Sequence, residues 1–180
     1  MSKLLNRLNR AAISYDAGEK AWSAGDEKRA FRLFLAAAKG GHVPSFSLVA
    51  HFYGSGTGVK ANTDAALHWY EQSYRASEQW YRQAESTSAN NIGCIWRERG
   101  KPGLAIKWFK RAVALGDGDA NLNIADVYLR RQATRAKALP YLRKTIAAPY
   151  VTDGSIEEAR RLLRELSSNK GRGKRAKHTG

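Results

Sequence analysis

Gly54, Gly56 and Gly58, with Lys60 just behind them, come nearest in this chain to a loop built for chemistry. A glycine-rich turn ending in lysine can cradle phosphates, but that device needs a preceding strand and a Ser or Thr after the lysine. No strand precedes this turn, and Ala61 follows Lys60, so the turn reads as a connector. His42, His51, His68 and His178 have no cysteine or carboxylate at the spacing a metal site requires. No histidine falls near Cys94 to generate a thiolate, and Cys94 reads as a small packing residue. Asp117 and Asp119 flank Gly118 at a helix start, where carboxylates belong for capping. No Ser-His-Asp arrangement or carboxylate pair can be argued. The chemistry expected is recognition, with no catalytic residue, cofactor or metal.

Charge says where recognition would occur. The 31 Lys and Arg outnumber the 16 Asp and Glu, giving +15 over 180 residues. Residues 1–10 carry +3, and residues 11–96 balance eight cations against eight acids. Residues 97–144 then carry +8, residues 145–168 carry −1, and the stretch 169–180 adds +5. The window 127–152 has six cations and no acid. Such clustering is either a solvated face or a site for an electronegative partner, an acidic protein or a nucleic acid. No aromatic alternates with the cations of 169–180 to stack bases, which favours the protein. A single cysteine excludes an internal disulfide framework and fits a reducing compartment. Lys3, Arg7 and Arg10 interleave with Leu4, Leu5 and Leu8 as an amphipathic helix, and no stretch reaches membrane-spanning length. A cytoplasmic protein without a membrane partner is expected.

The elements that would hold such a surface show in a repeated phrase. Ala30-Phe31-Arg32-Leu33-Phe34, Ala66-Leu67-His68-Trp69-Tyr70, Ala105-Ile106-Lys107-Trp108-Phe109 and Ala138-Leu139-Pro140-Tyr141-Leu142 begin 36, 39 and 33 residues apart. Each gives a helix one wet position and a broad buried face, and a period in the thirties marks stacked repeats. Leu33, Trp69, Trp108 and Tyr141 are expected to form the column facing the neighbouring helices. A second column pairs a small residue with an aromatic three positions on: Ala50 with Tyr53, Gly93 with Trp96, Ala125 with Tyr128. Val49, Ile92 and Ile124 precede these small residues, and the first copy is degraded to Glu19 and Trp22. Each unit is a helix pair that needs neighbours to bury its apolar face.

Further helices are expected near 3–23, 63–85, 88–99, 102–115, 118–131 and 135–147. The first should place Leu4, Leu8, Ala12 and Tyr15 on one face. Asp26 is a good N-cap, Pro44 and Ser45 open a helix, and Ser155 with Glu158 reads as a capping box for a last helix to about Ser167. Residues 1–168 form the repeat domain, and the polar, basic stretch 169–180 is expected to be disordered.

These columns resemble the tetratricopeptide repeat and the related Sel1-like repeat. The third copy is nearest the tetratricopeptide pattern, through Ile92, Gly93, Trp96, Ala105, Phe109 and Ala112. The stretch 45–70 resembles a Sel1-like unit, with Ala50, Tyr53, the turn Gly54–Val59, Asp64, Ala65-Ala66 and Trp69-Tyr70. The resemblance implies an all-α, right-handed solenoid of about four helix pairs with a C-terminal capping helix, working as a binding scaffold. It also implies a groove lined by Asp16, Lys20, His51, Asn90, Arg97, Asp126 and Arg130. Asp16 and Asp126 break any uniform carboxylate clamp, so a chaperone-tail site is not expected. Seven extra residues separate the second phrase from the next helix, and they carry Trp80 and Tyr81. These aromatics either fold back as extra core or form an overhanging ledge for a partner. The partner-binding set is therefore Arg97, Arg130, Asn90, His51, Trp80 and Tyr81. The ligand expected is an acidic protein or peptide. The alternative is nucleic acid bound through 97–144 and the basic tail.

Overall fold

The structure, a computed structural model, describes the backbone of residues 2–77 and 82–175 and the side chains of residues 2–76 and 86–168. Every regular element among them is helical: α1 Lys3–Ser23, α2 Glu27–Lys39, α3 Pro44–Ser55, α4 Thr63–Ser77, α5 Arg82–Glu98, α6 Pro102–Ala114, α7 Ala120–Leu129, α8 Leu139–Ala147 and α9 Asp153–Arg175. A 3-10 segment, Gln132–Ala138, precedes α8. The chain divides into two compact units, Met1–Ile95 and Trp96–Gly180.

In the first unit, side chains set the helix starts. Ser2 Oγ accepts the Leu5 N–H at 3.3 Å, Asp26 Oδ1 accepts the Arg29 N–H at 3.1 Å, and Asn62 Oδ1 accepts the Ala65 N–H at 3.0 Å. α3 opens on Pro44 and stops at Gly56, whose φ of 77° is a left-handed cap. α1 and α2 run antiparallel, Gly18 lying against Phe34 while Ala11 lies against Gly40. A Cβ on Gly18 would stand 2.8 Å from the Phe34 ring, so glycine sets the separation of these helices. The Phe52 ring of α3 joins the layers, with centroids 4.9 Å from Trp22, 5.7 Å from Phe34 and 5.9 Å from Phe31. Phe46 meets Trp69 of α4 at 5.6 Å. Between α4 and α5 a buried hydroxyl pair closes the packing, Ser88 Oγ donating to Ser73 Oγ at 3.0 Å. Burial beside them pushes the Tyr70 phenol up to about 12, with Cys94 adding to the rise and a hydrogen bond with Asn91 opposing it. The Gly54–Val59 turn packs on α2, and a Cβ on Gly58 would run into the Glu27 carbonyl.

The second unit begins in the last turn of α5. The chain reverses at Gly100, where the Lys101 N–H returns to the Trp96 carbonyl at 2.9 Å, and Pro102 starts α6. Asp117 Oδ1 caps α7 by accepting the Ala120 N–H at 3.1 Å, and burial holds this carboxyl above its usual range. Asp119 does other work. Its Oδ1 accepts both the N–H and the Oγ1 hydroxyl of Thr152 at 3.0 Å, while the Gly118 N–H meets the Tyr150 carbonyl at 2.8 Å. The start of α7 is thereby fastened to the start of α9. Ala159 and Leu166 of α9 close over Ala125, Ala138 and Leu142.

Several sequence expectations change register. At the phrase's first position Ala30, Ala66, Ala105 and Ala138 are all 0% exposed. The buried aromatic or aliphatic column is the fifth position, Phe34, Tyr70, Phe109 and Leu142. Leu33, Trp69, Trp108 and Tyr141, expected in that role, are half-buried. α1 buries Ala11, Gly18 and Ala21 and half-buries Tyr15, whereas Leu4, Leu8 and Ala12 are exposed. The reason is length: α2 ends opposite Ala11, and Leu8 already lies beside Gly41 in the turn beyond it. The expected helix 135–147 begins as a helix only at Leu139, because Pro140 lacks the N–H an interior position must donate and sits instead in the first turn. α9 starts before Ser155, with Thr152 Oγ1 accepting the Ser155 N–H at 3.3 Å, and its helical backbone continues to Arg175. Residues 82–85 open α5, where the sequence placed them at the end of the preceding helix.

Candidate partner-binding surface

Arg97 and Arg130 meet on one carboxylate. Arg97, in the last turn of α5, donates through Nη1 to Asn123 Oδ1 at 3.0 Å and to Asp126 Oδ2 at 3.1 Å. Arg130, the C-cap of α7, reaches the same Asp126 oxygen through Nε at 3.2 Å and Nη2 at 3.0 Å. Helical spacing explains the convergence, since Asn123, Asp126 and Arg130 lie three and four residues apart on one face. The two guanidiniums differ in access. The Arg97 side chain is 20% exposed and lies 5.8 Å from the Phe109 ring centroid, while Arg130 is 58% exposed. Asp126 thus holds both guanidiniums through a single carboxylate oxygen. Asp126, read from sequence as an interruption of a clamp, is the residue that organises it. Asn123 was not singled out, although its place three residues before Asp126 marks it.

The other expected contacts belong to the first unit or fall outside the described residues. His51 is exposed on α3, and Asn90 is half-buried in α5, both within the first unit. Asp16 and Lys20 are exposed on α1. Trp80 and Tyr81 lie outside the described residues.

The second unit also sets cations over aromatic rings. Arg111 stands 4.2 Å from the Trp108 centroid, Arg99 5.4 Å from Trp96, and Lys144 5.5 Å from Tyr141. All three pairs are spaced i, i+3, and the Trp108 and Tyr141 pairs occupy equivalent phrase positions. Several cations that read as a loose basic cluster are thus held by their own helix. Among the described residues no group of His, Cys, Asp and Glu could hold a metal, and no helix is long and apolar enough to cross a membrane.

The Sel1 repeat family model matches residues 9–42, 47–78 and 89–117, more than half of the chain and in step with α1–α2, α3–α4 and α5–α6. The chain belongs to the Sel1 repeat family. The third copy, whose residues resemble the tetratricopeptide pattern most, is matched by the Sel1 repeat family model as well. No curated protein matches by sequence. Among solved structures, the chain is similar to c5321, a protective antigen of uropathogenic Escherichia coli strains displaying an SLR fold. That match has 23% identity and a TM-score of 0.57, covering 75% of this chain and 30% of that one. It is similar to BtubC (BKLC) from P. vanneervenii at 14% identity and a TM-score of 0.60, covering 99% of this chain and 91% of that one. A Sel1 repeat protein from Oxalobacter formigenes matches at 21% identity with a TM-score of 0.37, covering 76% of this chain and 70% of that one. The c5321 match, together with the helical elements, places this Sel1 repeat chain in the all-α solenoid class. Sel1 repeat proteins are generally protein-interaction scaffolds.

Proposed function

We propose that this Sel1 repeat chain is a non-catalytic adaptor that holds an acidic protein or peptide on the basic surface of residues 97–144. The observation that carries the reading is the Arg97–Asp126–Arg130 cluster beside an acid-free window, residues 127–152. Arg130 is the reaching residue. Its exposed i, i+4 pair with Asp126 is worth only about 0.3–0.5 kcal/mol, so a partner carboxylate can draw the guanidinium outward at little cost. Arg97 is the positioning residue, holding Asp126 with Asn123 so that the cluster keeps its shape when Arg130 moves. His51 and Asn90 join the reading as polar contacts in the first unit, and Trp80 and Tyr81 as aromatic contacts on sequence grounds alone. The single cysteine supports a reducing, cytoplasmic setting.

The cation-covered rings at Trp96, Trp108 and Tyr141 favour a second reading, nucleic-acid binding, because aromatics beside cations are what single strands use. In each pair the cation already lies over the ring, so a base must displace it first. The acidic protein therefore stands ahead. Isolation of the native complex followed by binding kinetics tests this choice. Arg130→Ala should raise the dissociation rate about tenfold, as for loss of roughly 1.4 kcal/mol. An unchanged dissociation rate, or a complex containing only nucleic acid, contradicts it.

A further inference from the structure

α1 reaches beyond the helix it packs against. Ala11 lies against Gly40, and Leu8 lies beside Gly41, so the turns carrying Leu4 and Leu5 pass the end of α2. Leu4, Leu5 and Leu8 are 57%, 46% and 40% exposed. These turns carry apolar side chains outward. Lys3, Arg7 and Arg10 share them, and no acid occurs before Asp16. Beside the leucines, Arg7, Arg10 and Ser14 line a cleft of about 220 Å³ whose remaining walls are Ala11, Ala36 and Gly40. Two of the lining residues are arginines and the other walls are small, so the cleft suits a carboxylate. The rest of the first unit balances its charge, which makes this a local basic feature.

We propose that the N-terminal turns of α1, with the Arg7–Arg10–Ser14 cleft, form a second docking surface for an acidic amphipathic helix of another protein. Apolar side chains of that helix rest on Leu4, Leu5 and Leu8, and one of its carboxylates enters the cleft between Arg7 and Arg10. Charge selects the occupant: a second copy would bring three more cations against these three, and the stretch 169–180 is itself +5. This surface belongs to the first unit, and the Arg97–Asp126–Arg130 cluster to the second.

A displayed library of 15-residue amphipathic helices covering all net charges, panned on the intact chain, tests the proposal. Acidic helices should be enriched, and the R7E/R10E variant should bind them at least tenfold more weakly. L4S/L8S should weaken them similarly. Circular dichroism confirms that both variants fold, as expected for exposed positions. The charge-swap arm separates recognition from structure: R7E/R10E should select basic helices in their place. Enrichment without charge preference, binders indifferent to both variants, or no binders at all would overturn the proposal. So would phosphatidylserine vesicles binding the intact chain and releasing L4S/L8S while no acidic helix is enriched.

Discussion

At the scale of single residues, the fifth phrase position carries the core and the fourth borders solvent. Phe109 is 0% exposed, while its neighbour Trp108 is half-buried under Arg111. Phe109→Ala should cost about 3–5 kcal/mol in a urea titration, the range for a buried large aromatic. Trp108→Ala should cost clearly less, and equal losses would show that the assignment of the two positions is wrong. His42 makes a different residue-scale prediction. Its ring lies 4.5 Å from Tyr15, its Nδ1 lies 2.8 Å from Ser45 Oγ, and burial lowers its pKa against the opposing pull of Asp16. The folded state therefore takes up this proton less readily than the unfolded chain. The stabilisation is complete above about pH 6.5, the ordinary histidine value, and is lost as pH falls below it. Melting temperature should drop between pH 7.5 and 5.5, and His42→Gln should flatten that slope. An unchanged slope in the variant would remove His42 from the account.

At the scale of elements, helix contacts rest on small residues that a hydropathy pattern undervalues. Gly18 and Gly103 are both helical, but a Cβ at Gly18 meets the Phe34 ring and a Cβ at Gly103 meets nothing within 4 Å. Gly18→Ala should therefore cost about 1–3 kcal/mol by overpacking. Gly103→Ala should be neutral or stabilising by about 0.5–1 kcal/mol from the unfolded chain's lost freedom. The reverse order in denaturant midpoints would contradict the α1–α2 packing. The same residues show what could be read in advance. The alanine column and the Val49, Ile92 and Ile124 positions were legible, because each recurs with the period. Gly18 was not, since the first copy has lost the small residue at position 19 and the close approach falls one residue earlier. The α1 face was misjudged because periodicity reports which side is apolar, not how far the partner helix extends. Pro140 delays the start of α8 to Leu139, inside the very phrase that announces the helix, and a match of residue classes hides the missing N–H. Asp119 passed for a cap, and only the fold brings Thr152 to it from 33 residues away.

At the scale of the whole molecule, charge divides as the units do. The first unit has eleven Lys and Arg against eight Asp and Glu, and the second has twenty against eight. That asymmetry was plain in the sequence. The pairing within it was not: Arg97 and Arg130 were legible as cations on a helix face, but their convergence on Asp126 depends on α5 and α7 lying together. The central claim is that this basic second unit serves an acidic protein, not a nucleic acid. Titration of random-sequence DNA and RNA against the full chain and a 169–180 deletion, from 50 to 200 mM salt, tests it most directly. For a protein-binding adaptor, nucleic-acid binding should be weak at 150 mM, with a shallow salt slope that the deletion barely changes. A slope of log affinity on log salt near −5, as for about six phosphate contacts at −0.9 each, that collapses on deletion of the tail would contradict the account.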